Sequence, residues 1–398
     1  MKIEQDERID YLCGSEELDP VPMRPFDRQC LMFLGAWSDL IRKMPRTAVS
    51  EELRAFAFWM RPSNLLSMEV AYKPEHALGL GIAFHIAPAN VPLMFAYTCV
   101  IGLLAGNSCR VRVSGRVGQE TSLICSQIQS LLDQDRFEPM RHRISIVSYD
   151  QSYSDITEYF SKECDIRVVW GGDQTIETIR QIPMKASAEE LVMPDRTSIA
   201  VLGAEAVAAL SDEALAQLAA AFYNDTYAMD QNACSCPKMV FWQEEGSSIG
   251  QMASERFWNA VARASERYAL SEIKVSRKYG SLFECAMLYP EIRQIKRWHN
   301  RLYVAATSEV PEKELQSAMQ FGSFLEYHMK NQNEWTQAVS EKTQTLTCYG
   351  VDIRELRETV LRQRLKGVYR IVPVGQALWM DLNWDGKNLI RRMSRTVF

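Results

Sequence analysis

The chain has 398 residues, 47% hydrophobic and 24% charged, which is typical of a globular protein long enough for two domains. A net charge of −5 provides no general basic field, so we expect no nucleic-acid partner. The longest apolar stretch, 91–105, is too short for a membrane span. Ten scattered cysteines and a charged N-terminus unlike a signal peptide predict a cytoplasmic protein.

The first half of the chain predicts helices and then alternating strands and helices. Residues 1–26 are polar and contain several prolines, which favours an irregular lead-in. Apolar spacing predicts amphipathic helices from Asp27 to about residue 41 and over 51–60. The alternating elements that follow are strand 79–86, helix 91–105, strand 109–114, helix 118–132, strand 143–149, helix 152–161, strand 165–170, helix 173–179 and strand 198–202. Repeated units of this kind predict an α/β fold with a mostly parallel, doubly wound sheet.

The second half predicts a helix, a polar junction and a strand. Ser211 is a suitable cap for a helix that extends to about residue 228, and an apolar strand follows at 239–242. Further helices are predicted over 247–268 and 312–335. The C-terminal tail ends in a basic cluster, which is either a solvated face or a phosphate site.

Cys234 lies in the polar junction between that helix and strand. Such a junction exposes a side chain while the flanking elements fix its backbone, and the polar run Asp230–Asn232 suits a thiolate, so Cys234 is a candidate nucleophile. The alternative is a small buried core residue. Cys236 is a second candidate acceptor, or else a resolving or bystander thiol. No second pair or histidine cluster completes a zinc set, so we expect no metal site.

Two further features are candidates for ligand contact or proton transfer. Gly171, Gly172 and Asp173 lie between a predicted strand and helix, where small residues admit a ligand to the backbone and Asp173 can cap the helix. The same turn is also compatible with an ordinary connection. His85 ends an apolar strand, so it is either a proton-transfer group or a satisfied structural histidine.

Several segments together carry a resemblance to a known family: 84–92 (Phe-His-Ile-Ala-Pro-Ala-Asn-Val-Pro), 102–107, 170–173, 230–234, 370–375 and 384–386. In this order they resemble the LuxC-type acyl-CoA (fatty-acid) reductases of the aldehyde dehydrogenase superfamily. The resemblance implies an aldehyde-dehydrogenase-like fold, in which a Rossmann-type cofactor domain accompanies an α/β catalytic domain that carries the nucleophilic cysteine. We expect the cofactor domain at 1–205, the catalytic domain at 206–370, and a tail at 371–398 that packs back or oligomerises.

The resemblance also implies roles for single residues. Cys234 corresponds to the acyl-accepting nucleophile. Asn90 corresponds to the side-chain half of the oxyanion hole, whose other half is the backbone N–H of the cysteine. Arg112 and Ser114 correspond to residues near the adenosine ribose of the cofactor. Gly172 corresponds to the first glycine of the loop that meets the cofactor phosphates.

Three departures from the superfamily pattern refine this expectation. Glu177 replaces the second glycine of the phosphate loop, which changes how phosphates are held there. Arg112 replaces a lysine. Because a guanidinium can donate two parallel hydrogen bonds to a 2′-phosphate, this replacement favours NADPH over NADH. Val192 occupies the position of the general-base glutamate. A reductase needs no base to activate hydrolytic water, so this replacement argues against a hydrolytic aldehyde-oxidising enzyme.

The expected function is NADPH-dependent reduction of an acyl thioester to an aldehyde through an acyl-cysteine intermediate. The alternatives are a CoA-acylating aldehyde dehydrogenase that works in the oxidative direction and a non-catalytic acyl-binding or scaffold subunit. The resemblance implies that the acyl donor is acyl-CoA or an acylated partner protein of the acyl-protein synthetase kind. It also implies a homo-oligomer.

Overall fold

A computed structural model of the protein describes residues 6–88, 91, 93–113, 117–244, 249–311, 315–316 and 318–398. Its strands are β1 (Asp10–Gly14), β2 (Ala77–Gly79), β3 (Ile82–Ile86), β4 (Ser108–Val113), β5 (Ile144–Ser148), β6 (Ile166–Gly171), β7 (Glu189–Pro194), β8 (Thr197–Gly203), β9 (Pro237–Gln243), β10 (Ile292–Trp298), β11 (Leu302–Thr307), β12 (Ser323–His328), β13 (Thr343–Tyr349), β14 (Arg370–Pro373), β15 (Asn383–Trp384), β16 (Lys387–Asn388) and β17 (Ser394–Thr396).

The α-helices of the same part of the chain are α1 (Arg28–Lys43), α2 (Glu51–Trp59), α3 (Pro62–Tyr72), α4 (Met94–Leu104), α5 (Gln119–Leu132), α6 (Ser154–Glu163), α7 (Asp173–Arg180), α8 (Ala204–Ala208), α9 (Asp212–Thr226), α10 (Ile249–Ala264), α11 (Glu272–Leu288), α12 (Ile353–Gln363) and α13 (Leu389–Arg392). None of the helices described here is both long enough and apolar enough to cross a membrane.

Local sequence signals begin several of these helices. The side chains of Ser50 and Ser211 accept hydrogen bonds from the backbone N–H groups of Leu53 and Ala214, which would otherwise lack a partner inside the helix. Pro62 stands at the start of α3, where its missing N–H is not needed. The predicted cap at Ser211 is therefore confirmed.

The first compact unit comprises residues 1–195 and 380–398. Its six-stranded sheet has the order β1-β5-β4-β3-β6-β7, in which β1 is antiparallel to β5 and the other pairs are parallel. Alternate side chains of β3 enter two different buried clusters, with Ala83 in one and Phe84 in the other. Both faces of the sheet are thus covered, which confirms the predicted doubly wound α/β architecture.

The second compact unit comprises residues 196–379. Its seven-stranded sheet has the order β10-β11-β12-β9-β8-β13-β14, and only β10 is antiparallel to its neighbour. Two apolar clusters lie on its two faces, one around Phe257 and Trp258 and the other around Phe241 and Trp335. The strand β9, which follows Cys234, runs through the middle of this sheet and is therefore a rigid support.

The unit boundaries differ from the sequence expectation because of strand pairing. The first boundary lies after Asp195 rather than at 205, since β8 pairs with β9 and β13 in the second sheet. The second lies at 379 rather than 370, since β14 pairs with β13. Residues 380–398 return to the first unit, where β17 pairs with β2.

Three local predictions are wrong. Within the predicted helix 312–335, residues 323–328 form the strand β12, which is buried on both faces and therefore lacks the alternation of polar and apolar residues that marks a half-exposed strand. The polar lead-in contains the edge strand β1. The predicted strand 79–86 is divided into β2 and β3, because Gly81 has φ +134°.

His85 is fully buried in β3 and belongs to a hydrogen-bonded group within the core. Its Nδ1 lies 2.7 Å from the hydroxyl oxygen of Thr98, and the indole N–H of Trp170 donates to the same oxygen at 3.0 Å. Burial lowers the pKa of His85 to about 3, from 6.5. The imidazole is therefore neutral near neutral pH, and these contacts suit a structural role.

We predict that His85 makes the protein sensitive to acid. Between pH 6.5 and about 3, the His85 imidazole binds a proton in the unfolded chain but not in the folded protein. The contribution of neutral His85 to the free energy of unfolding is therefore complete above pH 6.5 and is lost as the pH falls. In His85→Gln, the free energy of unfolding in urea should fall less steeply over this range, by up to about 1.4 kcal/mol per pH unit. The exposed His142 provides a control in His142→Gln; equal slopes for the wild type and His85→Gln would contradict the assignment.

Candidate active site

Cys234 is the accessible thiol of the protein. All ten cysteines lie within the described residues, and nine of them are buried whereas Cys234 is partly exposed. The buried nine are small core residues that a dissolved electrophile cannot reach. The burial pattern therefore selects one sulfur for chemistry.

The chain reaches Cys234 through a tight turn after α9. A short 3-10 turn, Tyr227–Met229, follows α9, and Asp230 and Gln231 then adopt left-handed φ angles of 54° and 56°. Residues other than glycine rarely adopt this conformation, and they keep it only when surrounding contacts hold them. The side chains of both residues supply such contacts.

Gln231 fixes the turn from inside the second unit. Its side chain is fully buried, and its oxygen accepts the backbone N–H of Gly322 at 2.7 Å. Its amide nitrogen donates to the carbonyl oxygens of Ser323, at 3.0 Å, and Pro237, at 3.4 Å. The amide thus ties the cysteine turn to the first residues of β12 and β9.

Asp230 fixes the same turn from its other side. Its carboxylate accepts the hydroxyl of Tyr268 at 2.5 Å and the ammonium of Lys274 at 2.8 Å. Because Lys274 balances its charge, Asp230 does not place an uncompensated negative charge near the thiol. Its role in this structure is to hold the turn.

Two backbone contacts orient Cys234 itself. The N–H of Arg196 points at the sulfur, with a nitrogen–sulfur distance of 3.3 Å, and the hydroxyl of Ser198 donates to the Cys234 carbonyl oxygen at 2.7 Å. An N–H directed at sulfur favours the negatively charged thiolate, which is the nucleophilic form. The contacts of Arg196 and Ser198 with Cys234, and those of Gln231 with Gly322, could not be predicted from the sequence, because the partners are distant along the chain.

Cys236 differs from Cys234 in every relevant respect. It is fully buried, its sulfur lies 3.9 Å from the carbonyl oxygen of Thr226, and burial raises the pKa of its thiol. Such a thiol is neither ionised nor accessible at neutral pH. These properties favour Cys234 over Cys236 as the acyl acceptor.

The segment 370–375 is anchored to the helix that precedes Cys234. The buried carboxylate of Asp225 accepts the backbone N–H groups of Gly375, at 2.6 Å, and Ala377, at 2.8 Å. Arg370 donates to the carbonyl oxygens of Gln376 and Ala377, at 2.9 Å each. Burial raises the pKa of Asp225 to about 7, although the two N–H donors act in the opposite direction. Sequence reasoning singled out this segment by resemblance but missed Asp225.

The predicted cofactor residues of the first unit lie at the carboxyl ends of parallel strands, where nucleotides bind in such sheets. Arg112 is near the end of β4, and Gly171 ends β6. A Cβ at Gly172 would meet only Asp195 Oδ1, at 4.0 Å, so the space beside this turn is open. Asp173 is the first residue of α7 rather than its cap, because Gly172 holds the cap position.

Arg112 is mostly buried against Tyr149. It donates to the Tyr149 carbonyl oxygen at 3.2 Å, and its guanidinium carbon lies 4.7 Å from the centre of the Tyr149 ring. Its Nε has no hydrogen-bond partner among the residues that the structure describes. An open glycine turn and a cation with an unused donor fit the phosphates of a dinucleotide.

The remaining predicted residues are placed as follows. Asn90 and Ser114 lie outside the described residues. Glu177 is exposed on α7, and Val192 is partly buried in β7 beside an apolar cluster. Among the residues that the structure describes, no group of three or more His, Cys, Asp or Glu could hold a metal ion.

The family model for LuxC, described as acyl-CoA reductase (LuxC), matches residues 51–396. The chain belongs to the LuxC acyl-CoA reductase family. It is accordingly an enzyme of acyl reduction or aldehyde oxidoreduction. None of the curated proteins matches this LuxC-family chain.

Solved aldehyde dehydrogenases share its fold at low sequence identity. NAD-dependent benzaldehyde dehydrogenase from Corynebacterium glutamicum has a TM-score of 0.63 and 11% identity, over 98% of this chain and 94% of that one. 1-Pyrroline-5-carboxylate dehydrogenase from Thermus has a TM-score of 0.63 and 14% identity, over 94% and 81%. Lactaldehyde dehydrogenase from Escherichia coli has a TM-score of 0.60 and 12% identity, over 92% and 84%. These likenesses confirm the predicted aldehyde-dehydrogenase-like fold.

We predict that Cys234 reacts first when the native protein is exposed briefly to iodoacetamide. Because the other cysteines are buried, peptide mass spectrometry should find the label on Cys234 and no label on Cys236. Cys234→Ser should remain unlabelled when native and should label at its other cysteines when denatured. Faster labelling of any other cysteine in the folded wild type would contradict this view of the site.

Proposed function

We propose that the protein reduces an acyl thioester to the corresponding aldehyde, with NADPH as reductant and with an acyl group held covalently on Cys234. The observation that supports this most strongly is the single partly exposed thiol, with a backbone N–H directed at its sulfur. Membership of an acyl-CoA reductase family supplies the class of substrate.

In the first step the Cys234 thiolate attacks the carbonyl carbon of the acyl thioester. A sulfur–carbon bond forms to Cys234, the bond to the donor sulfur breaks, and the departing thiolate takes up a proton. The side-chain amide of Asn90 and a backbone N–H would stabilise the negative charge that develops on the carbonyl oxygen. One such donor typically contributes about 3 kcal/mol to transition-state stabilisation.

In the second step the acyl group on Cys234 is reduced. NADPH, when bound, supplies the hydride that adds to the acyl carbon. The resulting hemithioacetal on Cys234 collapses by breaking its carbon–sulfur bond, which releases the aldehyde and restores the thiolate. The net reaction consumes one acyl thioester, one NADPH and one proton, and yields the aldehyde, the free thiol and NADP⁺.

Val192 supports reduction rather than hydrolysis of the acyl-enzyme. An ionised glutamate at this position would activate water, whereas valine accepts no proton and lies partly buried beside apolar side chains. In this proposal, water therefore does not compete with hydride for the acyl group.

The acyl donor in this proposal is acyl-CoA or an acylated partner protein of the acyl-protein synthetase kind. As is common in the superfamily, we expect the enzyme to be a homo-oligomer, and we expect it in the cytoplasm.

The reaction is tested by supplying a panel of acyl-CoAs with NADPH and measuring aldehyde formation. We expect aldehyde from the wild type and from Cys236→Ser, and a loss of at least about 1,000-fold in Cys234→Ser, because the covalent route needs this sulfur. Undiminished turnover in Cys234→Ser would contradict the proposal. If no acyl-CoA gave aldehyde while aldehyde, CoA and NADP⁺ gave acyl-CoA, the oxidative alternative would replace it.

The choice of NADPH is tested at Arg112. Its positive charge and unused Nε donor favour a 2′-phosphate, and a charge-assisted hydrogen bond contributes about 1.5–3 kcal/mol. We therefore expect Arg112→Gln to lower the ratio of kcat/KM for NADPH to that for NADH by about 10-fold or more. Arg112→Lys keeps the charge but loses the planar, two-pronged guanidinium. Its ratio of kcat/KM for NADPH to that for NADH should lie between the ratios of the wild type and Arg112→Gln. An unchanged ratio in Arg112→Gln would remove this residue from cofactor selection.

A further inference from the structure

The indole of Trp59, at the end of α2, is buried without a hydrogen-bond partner. Its side chain is 8% exposed, and its N–H has no acceptor among the residues that the structure describes. Two other buried indoles of the first unit are paired: Trp37 donates to Gln127 at 3.3 Å, and Trp170 donates to Thr98 at 3.0 Å. Since a buried donor that lacks an acceptor destabilises the fold, a bound ligand can supply what the chain does not.

Tyr97 provides a second unused donor beside Trp59. The centres of the two rings are 5.1 Å apart, and Phe56 packs edge-on against Tyr97 at 4.7 Å, so the phenol is held in place. Its hydroxyl makes no hydrogen bond with the part of the chain that the structure describes. Burial, with a smaller contribution from Glu52, raises the pKa of Tyr97. The hydroxyl therefore keeps its proton and can donate it.

The two donors lie at the edge of the first sheet where the cofactor residues lie. Tyr97 is in the first turn of α4, the helix that follows the carboxyl end of β3 and the segment of Asn90. β3 is parallel to its neighbours β4 and β6, near whose carboxyl ends Arg112 and Gly171 are placed. An acyl chain that extends from the proposed oxyanion donor along the first turn of α4 would therefore meet Tyr97 and Trp59.

The chemistry of the two groups defines what they can bind. An indole N–H only donates, and the protonated phenol also donates, so the matching ligand atom is an acceptor oxygen. The negative charge of Glu52, which acts on Tyr97, disfavours a carboxylate there. The surrounding surface is apolar, since Met94 and Tyr97 pack against a buried hydrophobic cluster. A neutral oxygen on an otherwise apolar chain fits this surface.

We propose that Trp59 and Tyr97 form a polar subsite for the acyl chain, and that the preferred substrates are acyl thioesters whose chain carries a hydroxyl or carbonyl oxygen. This inference rests on the proposed reduction of an acyl thioester. A plain saturated chain in the same place leaves both donors unpaired, and a site built to hydrogen-bond a substrate discriminates against the analogue that lacks the partner. The two residues select the substrate and take no part in bond making.

Binding tests the subsite without the reaction. In Cys234→Ala, which cannot accept the acyl group, isothermal titration calorimetry compares octanoyl-CoA with analogues that carry one hydroxyl on the third, fifth or eighth carbon. At least one hydroxylated analogue should bind at least about ten-fold more tightly than octanoyl-CoA, because it satisfies donors that the plain chain leaves unpaired.

Two variants remove the donors one at a time. Trp59→Phe and Tyr97→Phe, each combined with Cys234→Ala, should reduce the preference for the hydroxylated chain by at least about three-fold and leave the affinity for octanoyl-CoA unchanged or higher. Trp335→Phe is the matched control, since this indole N–H is also buried and unpaired but lies in the core of the second unit. It should keep the full preference. The thermal unfolding temperature shows that each variant is folded.

The same acceptor chemistry is present in the amide carbonyls of the pantetheine arm of CoA, and the panel distinguishes the two sources. An equal loss of affinity for every acyl-CoA in Trp59→Phe would assign the donor to that arm and overturn the proposal. The absence of any preference for a hydroxylated chain, or a full preference in both donor variants, would also overturn it.

Aldehyde formation is then measured with NADPH on the same panel with Cys234 intact, where kcat/KM should show the same preference. A binding preference without aldehyde would contradict the proposed reaction and leave the subsite standing, so the two failures are distinguishable.

Discussion

The structure of the site depends on the buried side-chain amide of Gln231. Its hydrogen bonds to Gly322, Ser323 and Pro237, together with the contacts of the Asp230 carboxylate, keep two successive non-glycine residues in the left-handed region. The amide lies between the starts of two central strands of the second sheet. The position of the Cys234 sulfur is consequently set by the sheet rather than by a mobile loop, which is the preorganisation that covalent catalysis requires.

Burial, and not the neighbouring sequence, determines which of the ten cysteines is accessible to a reagent. Cys234 and Cys236 are separated by a single residue, but the chain places one at the surface of the turn and the other against the carbonyl of Thr226. The negative charge nearby is also balanced, because the carboxylate of Asp230 pairs with Lys274 and accepts a hydrogen bond from the hydroxyl of Tyr268. Cys234 is thus the accessible sulfur, and the backbone N–H directed at it favours the thiolate.

The sequence predicted the helices and strands that depend on interactions between residues near one another in the chain. The apolar helix α4, the cap at Ser211 and the parallel strands of the first sheet could be read from periodicity and capping. Contacts between distant residues could not be read in this way. Gln231 and Gly322 are 91 residues apart, and Asp225 and Ala377 are 152 apart. β12 is buried on both faces, so its sequence lacks the alternation of polar and apolar residues that marks a half-exposed strand. Cys234 was predicted as the nucleophile from the sequence and the family resemblance, while the groups that hold it in place became visible only in the fold.

The central claim is that Cys234 carries the acyl group and passes it to hydride. Intact-mass spectrometry of the protein after rapid mixing with acyl-CoA, without and then with NADPH, measures this directly. The account predicts a mass increase of one acyl group, mapped to Cys234, that persists without NADPH and disappears when NADPH is added, with release of an equal amount of aldehyde. An adduct on another residue, or an adduct on Cys234 that NADPH leaves unchanged, would contradict it.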